Sequence, residues 1–224
     1  MASSAINKYE CPGYWGERYA ADDSRFEWFV SFASIRPLLG FVRRGSAVLD
    51  MGCGTSLFLA DLRRDGHRGR LVGVDIVEKA VRALRRETRG LEIEVYCDDV
   101  RALRFGASTF DVVVDKGTID AMICGGAAAV QAACAEVSRV LRVGGRFVVC
   151  SHHLVDGMDD WLRPVIDGLT TTTTTTKGDQ PVVAWGLDVH ALEGGGPTIY
   201  IFTKHRASPR GAPSLKMAFH EHAG

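Results

Sequence analysis

Apolar runs alternate with helical patterns along the chain as far as residue 151. Five runs have the apolar, largely β-branched composition of strands that are covered on both faces of a parallel sheet. These strand candidates are residues 46–52, 71–76, 91–97, 111–115 and 145–151. Between them, good helix formers with apolar residues at helical spacing occupy residues 56–64, 77–89 and 127–141, and residues 117–123 allow a turn of helix. This alternation predicts β-α-β units and therefore a parallel sheet with helices on both faces.

The pattern changes after the fifth predicted strand. Residues 158–169 are typical of a helix that begins or kinks at Pro164. Residues 182–192 and 198–205 read as two strands joined by a turn at Gly194–Pro197, which is a hairpin signal. The whole chain therefore predicts a Rossmann-like, doubly wound α/β sheet of seven strands, mostly parallel, with an antiparallel hairpin at its C-terminal end.

The predicted domain spans residues 1–206, and its first 40 residues form a separate aromatic segment, called here the N-terminal segment. The seven consecutive threonines at residues 170–176 are interpreted as an expansion within a surface loop. Residues 207–224 contain Pro209, Gly211 and Pro213, and we expect them to be disordered.

Composition limits the classes of partner. The chain has 27 basic and 27 acidic residues, so no global field draws it to nucleic acid or to an anionic membrane. The six cysteines never fall in a C-x-x-C spacing, which favours reduced thiols in a cytosolic or nuclear protein. The first 20 residues lack an apolar core long enough for a signal peptide. We expect a cytoplasmic monomer that binds no metal, membrane or nucleic acid.

The first predicted strand ends in VLDMGCGT, a glycine-rich turn that leads into a helix. Glycines at Gly52 and Gly54 let a ligand approach the backbone closely, and the following helix adds amide donors. A pyrophosphate turn would carry a third glycine three residues after Gly54, where this chain has Leu57. Asp50 would repel a phosphate but suits an ammonium group.

Acidic residues also end the second and third predicted strands. Asp75 is in position to accept the two hydroxyls of a ribose. Asp98 and Asp99 close the third strand, where an adenine would lie. Around one glycine turn, these acids predict a pocket for a ligand with an ammonium, a ribose and an adenine but no phosphate.

S-Adenosylmethionine is such a ligand, and the motifs resemble those of its methyltransferases. VLDMGCGT, the acid in VGVDI, the DDVRAL loop and the terminal hairpin are similar to the class I, seven-strand family over roughly residues 40–205. The resemblance implies S-adenosylmethionine as the cofactor.

Two further motifs narrow the resemblance. The N-terminal segment contains YW-x-x-RY and F-x-WF, and the fourth strand reads DVVVDKGTIDA. These resemble the eukaryotic lysine methyltransferases of translation elongation factor 1-alpha, which implies a protein substrate. By the same resemblance, the cofactor residues are Trp15, Tyr19, Trp28, Gly52, Asp75, Ile76, Asp99, Val100 and Lys116 or Asp115. Two alternatives stay open: a small-molecule acceptor, and a non-catalytic domain of the same fold.

The end of the fourth strand is the predicted place of chemistry. An acid near the acceptor amine can orient it and take its proton through water, with Asp115 as the first choice and Asp120 as the reserve. Capping of the next helix is the alternative role for Asp115, and the pattern favours that role for Asp120 more than for Asp115. Lys116 is expected to pair with an acid or to hold the turn. His152 and His153 can touch a substrate or simply be solvated.

Overall fold

A computed structural model describes residues 12–152, 158–171, 183–192, 196–206 and 215–221. The strands are β1 (Val48–Met51), β2 (Leu71–Asp75), β3 (Ile93–Cys97), β4 (Phe110–Lys116), β5 (Leu141–Ser151), β6 (Val183–Ala191), β7 (Thr198–Arg206) and β8 (Leu215–Glu221). The helices are α1 (Pro12–Ala21), α2 (Phe32–Ile35), a 3-10 turn at Arg36–Leu39, α3 (Phe58–Arg64), α4 (Glu78–Glu87), α5 (Thr118–Ile123), α6 (Ala127–Val140) and α7 (Met158–Thr170).

The strands form one sheet in the order β3-β2-β1-β4-β5-β7-β6-β8. Strands β1 to β5 run parallel, whereas β7 pairs antiparallel with both β5 and β6. The predicted doubly wound sheet with a C-terminal antiparallel hairpin is therefore confirmed. The strand order reverses at β1, which lies between β2 and β4, and ligands bind at such a switch point beyond the carboxyl ends of the strands.

The central strands are apolar throughout because a hydrophobic core covers each face of the sheet. In β1, Val48 belongs to one core and its neighbour Leu49 to the other. In β4, Val112 and Val114 pack into the first core, while Val113 packs into the second. Successive side chains of a strand point to opposite faces, so a strand between two cores needs apolar residues at every position.

The eighth strand corrects the prediction for the C-terminal tail. The sequence predicts disorder over residues 207–224, but residues 215–221 form β8, which pairs parallel with β6 from Trp185↔Leu215 to Ala191↔Glu221. The tail does carry a strand signal, because Leu215, Met217 and Phe219 are apolar at alternate positions.

Helix α7 confirms the predicted helix over residues 158–169, but it continues through Pro164, so a helix start at this proline is wrong. Tertiary packing offsets the lost amide donor, because Trp161 and Val165 on either side of this proline are buried. Within the described part of the chain, every helix is too short or too polar to cross a membrane.

Candidate functional site

The turn after β1 is built on two glycines in the left-handed region. Gly52 has φ 66° and Gly54 has φ 51°. A Cβ atom at Gly52 would overlap the side chain of Thr118, and one at Gly54 would overlap the hydroxyl of Tyr19. Thr118 is itself fixed, because its hydroxyl donates to the carbonyl of Met51 over 3.0 Å. Both glycines are therefore required by backbone conformation and by close packing.

Asp75, at the end of β2, holds this turn in place. Its Oδ2 accepts the amide of Gly54 over 2.9 Å, and its Oδ1 accepts the amide of Val77 over 2.8 Å. Burial raises the pKa of Asp75, and the backbone hydrogen bonds oppose that shift. A carboxylate has about four lone-pair positions, so each oxygen can accept a further donor from a ligand.

A cavity of about 420 Å³ opens beyond the carboxyl ends of the first four strands. Trp15, Tyr19 and Trp28 line it from the N-terminal segment. The strand ends contribute six more of the predicted residues: Gly52, Asp75, Ile76, Asp99, Val100 and Lys116. Gly54, also predicted, is not among the described residues that line the cavity. The volume is typical of small-molecule sites, which range from about 300 to 1,000 Å³. Ile76 is 43% exposed in this lining, so its side chain offers an apolar surface that a bound ligand can cover.

Charges in the cavity favour a ligand without phosphate. Both basic residues among its lining residues are already paired with acids, Arg101 with Asp99 and Lys116 with Glu27. The remaining lining acids are Asp75 and Asp98, and Asp98 is paired with Arg104. A neutral or cationic ligand with hydroxyl groups therefore fits these residues better than a nucleotide phosphate does.

The aromatic residues of the N-terminal segment form one wall of the cavity. The rings of Trp15 and Trp28 meet edge-on with their centroids 5.7 Å apart, and Trp15 lies 6.4 Å from Tyr19. Tyr19 also packs against Val77 and Ala80 at the start of α4. Burial raises the pKa of Tyr19, so its phenol stays protonated near neutral pH. The aromatic stripe of α1 thus both packs on a helix and faces the cavity.

Asp50 lies under the glycine turn and is not among the described residues that line the cavity. It is 1% exposed, and its Oδ2 has no hydrogen-bond partner within the described residues. Burial raises its pKa to about 7, while the nearby charge of Lys116 opposes the shift. A cationic group placed beside this oxygen would favour the ionised carboxylate.

The raised pKa of Asp50 predicts that stability falls as pH rises. The unfolded group releases its proton near pH 4, whereas the folded group retains it to about pH 7. Its contribution is thus fully present below pH 4 and is lost through pH 7, by up to about 4 kcal/mol in the free energy of unfolding. Urea unfolding at pH 4.5 and 7.5 measures the free energy of unfolding at the two pH values. Asp50→Asn is expected to reduce the difference between these two free energies. The same difference in Asp50→Asn and in the wild type would contradict the prediction.

Asp115 has the capping role that the sequence favours more for Asp120, so that preference is wrong. Its Oδ1 accepts the amides of Thr118 and Ile119, at 3.1 and 3.2 Å, in the first turn of α5. The side chain is fully buried, and burial together with the charge of Asp120 raises its pKa well above the ordinary value. Asp115 is not among the described residues that line the cavity. This geometry favours a structural role.

Asp120 joins α5 to β5 and α7. Its Oδ1 accepts the Ser151 hydroxyl over 2.7 Å and the Trp161 indole N–H over 3.1 Å. Its Oδ2 accepts the amide of His152 over 2.9 Å. These three protein donors hold the carboxylate in place. Asp120 is not among the described residues that line the cavity. His152 is exposed beside Phe29, and His153 lies outside the described residues.

Glu27 is the residue of this site that the sequence analysis missed. Its carboxylate pairs with Lys116, which confirms that Lys116 pairs with an acid. The partner was not predictable because 89 residues separate the two in the chain. The only signal was an acid within the F-x-WF motif of the N-terminal segment.

Comparison with known proteins agrees with the fold. The sequence model of a family described as "Methyltransferase domain" matches residues 43–186. The EEF1A lysine methyltransferase 4 of Mus musculus is 37% identical over 155 residues, which cover 63% of this chain and 60% of that protein. The eEF1A lysine and N-terminal methyltransferase of Homo sapiens is 30% identical over 146 residues, covering 62% of this chain and 21% of that protein.

A solved structure has the same fold. The TehB-like SAM-dependent methyltransferase of Corynebacterium glutamicum superposes with a TM-score of 0.57 at 18% identity, covering 86% of this chain and 95% of that one. This chain belongs to the methyltransferase domain family. It spans 60% of the length of the mouse relative and 21% of the human one.

Proposed function

We propose that this chain is an S-adenosylmethionine-dependent protein-lysine N-methyltransferase that acts on translation elongation factor 1-alpha. The observation that carries the proposal is the cavity at the switch point of the sheet, which has Asp75 in its wall and three aromatic residues over it. The names of the mouse and human relatives support the choice of substrate. We place the activity in residues 1–206.

The roles of the cavity residues follow from their chemistry. When bound, S-adenosylmethionine supplies a methyl group attached to a positively charged sulfur. Asp75 would accept the ribose hydroxyls, with Ile76 packed against the sugar. Asp99 and Val100 would contact the adenine. Gly52 lines the cavity, and with Gly54 it lets Thr118 and Tyr19 pack closely against the turn. Asp50 beneath this turn would favour the ammonium group of the ligand.

The aromatic wall has two functions in this proposal. Trp15, Tyr19 and Trp28 attract positive charge through their ring faces, by about 0.5–2 kcal/mol for each favourable contact. They also keep water out of the cavity, which strengthens the remaining electrostatic contacts. Transfer to an amine then depends mainly on alignment of the acceptor nitrogen with the methyl carbon.

The acceptor lysine must reach this alignment as a neutral amine, because an ammonium group has no lone pair. Three protein donors hold the Asp120 carboxylate in place. Oδ1 of Asp115 accepts two backbone amides, and its buried Oδ2 has no partner within the described residues. Neither acid is among the described residues that line the cavity, so the proposal assigns the general base to neither of them. The lysine would lose its proton to solvent before it enters, so the rate of methylation should rise with pH across the neutral range.

Transfer of a labelled methyl group to a eukaryotic cell extract tests the nature of the acceptor. With methyl-labelled S-adenosylmethionine, we expect one labelled protein near the size of elongation factor 1-alpha. Prior digestion of the extract with trypsin should abolish that band. Label found in small molecules after digestion would show that the acceptor is a small molecule and not a protein. No label in any fraction would favour a non-catalytic domain.

A further inference from the structure

A buried ion pair joins the N-terminal segment to the end of β4. The Lys116 ammonium contacts Oε2 of Glu27 and, over 2.7 Å, the hydroxyl of Ser56. The Lys116 side chain is only 4% exposed and that of Glu27 is 23% exposed. Burying two charges costs several kcal/mol per ion in desolvation, so an ion pair is a poor way to gain stability alone.

Glu27 is also bonded to the turn that precedes α3. Its Oε1 accepts the amide of Leu57 over 2.6 Å, and its Oε2 accepts the hydroxyl of Ser56 over 2.9 Å. One carboxylate therefore connects three pieces of chain: the N-terminal segment, the loop after β1 and the end of β4. These pieces meet beside the cavity.

Thr55 also joins the N-terminal segment to the loop after β1. Its hydroxyl donates to the carbonyl of Ser24 over 2.9 Å and accepts the amide of Phe26 over 3.1 Å. Residues 24–27 are thus held against residues 55–57 by four hydrogen bonds in all, counting the two that Glu27 accepts from Ser56 and Leu57. This leaves the backbone little freedom where it enters Trp28.

Two residues next to Glu27 line the cavity. Trp28 follows Glu27 in the chain, and Lys116 forms the ion pair with Glu27. We propose that Glu27 is a positioning residue, whose carboxylate places Trp28 and Lys116 in the cavity wall and so forms the ligand-binding shape of the aromatic N-terminal segment. The inference rests on the proposed function for its ligand but concerns a residue outside the cavity lining.

Four variants test this role: Glu27→Gln, Lys116→Met, the double variant, and Glu17→Gln as a control. Glu17 is an exposed acid of α1 in the same N-terminal segment, and its side chain is absent from the network. The double variant removes both charges, so it guards against a Glu27→Gln protein that fails to fold around an unpaired buried cation.

Two measurements are made on each full-length variant. Calorimetry gives the affinity for S-adenosylhomocysteine. Acrylamide quenching of tryptophan fluorescence reports mainly on Trp15 and Trp28, because Trp161 and Trp185 are 1% and 2% exposed and so are shielded. The second measurement needs no ligand, so it tests the positioning role even if the wild-type protein binds no S-adenosylhomocysteine.

We expect Glu27→Gln to lower the affinity by roughly 10- to 100-fold and to increase quenching, while Glu17→Gln matches the wild type. Because the two residues act as a pair, the double variant should lose no more than about the larger of the single losses. Wild-type quenching and affinity in folded Glu27→Gln would overturn the positioning role, as would losses that multiply in the double variant. Absence of binding to the wild type would instead count against the proposed function.

Discussion

Asp75→Ala is expected to reduce the affinity for S-adenosylhomocysteine by roughly 100-fold or more. The variant loses the proposed bonds to two ribose hydroxyls, each worth about 1.5–3 kcal/mol for a charged acceptor. It also releases the amides of Gly54 and Val77, which the carboxylate now holds. The glycine turn would therefore relax at the same time as the ligand loses its acceptor, and both effects weaken binding. Isothermal calorimetry measures the change directly.

Asp61→Ala is the matched control for this prediction. Asp61 is an acid of α3 whose side chain is 39% exposed and forms an ion pair with Arg64, three residues further along the helix. Such surface pairs contribute about 0–1 kcal/mol, so this variant should bind as the wild type does. If a folded Asp75→Ala protein bound S-adenosylhomocysteine as tightly as Asp61→Ala does, Asp75 would have no part in ligand binding.

Gly52→Ala is expected to destabilise the fold by about 2–5 kcal/mol and to weaken ligand binding at least roughly tenfold. Alanine pays a conformational cost of about 1–2 kcal/mol at the left-handed φ of this residue. Its Cβ would also overlap Thr118, which cannot move away without breaking its bond to Met51. Relief of that overlap shifts the start of α5, and with it one wall of the cavity. Urea unfolding and calorimetry measure the two effects.

Gly90→Ala separates conformational strain from overlap. Gly90 has φ 84°, but a Cβ atom there would meet nothing within 4 Å. This control should therefore lose only about 1–2 kcal/mol of stability and keep its ligand affinity. Equal losses in the two variants would mean that the contact between Gly52 and Thr118 has no part in the site.

The sheet and most of the cavity wall could be predicted because they depend on local patterns. Val112, Val113 and Val114 form a continuous apolar run, which is typical of a strand between two cores. Asp75 follows such a run directly, so its place at the rim of the sheet comes from sequence position alone. The strand β8 has a similar local signal. Disorder is predicted there instead, because Pro209, Gly211 and Pro213 directly before the strand are typical of an irregular segment.

The roles of the polar groups at the end of β4 were less predictable, because they depend on partners that are distant in the chain. Asp115 can cap a helix or face a ligand, and only the distance to the amides of Thr118 and Ile119 separates the two. Asp120 is bonded to residues 31, 32 and 41 positions away. Glu27 and Lys116 likewise become partners only after the sheet has formed. The spacing of residues along the sequence does not predict such long-range contacts.

Methylation of purified elongation factor 1-alpha tests the proposed activity without an intermediate step. The purified chain is incubated with S-adenosylmethionine and the factor, and the factor is then analysed by mass spectrometry of its peptides. We expect a gain of methyl groups on a lysine side chain, which Asp75→Ala reduces in proportion to its loss of affinity while Asp61→Ala leaves it unchanged. An active preparation that binds S-adenosylmethionine yet leaves every lysine of the factor unmodified would contradict the account.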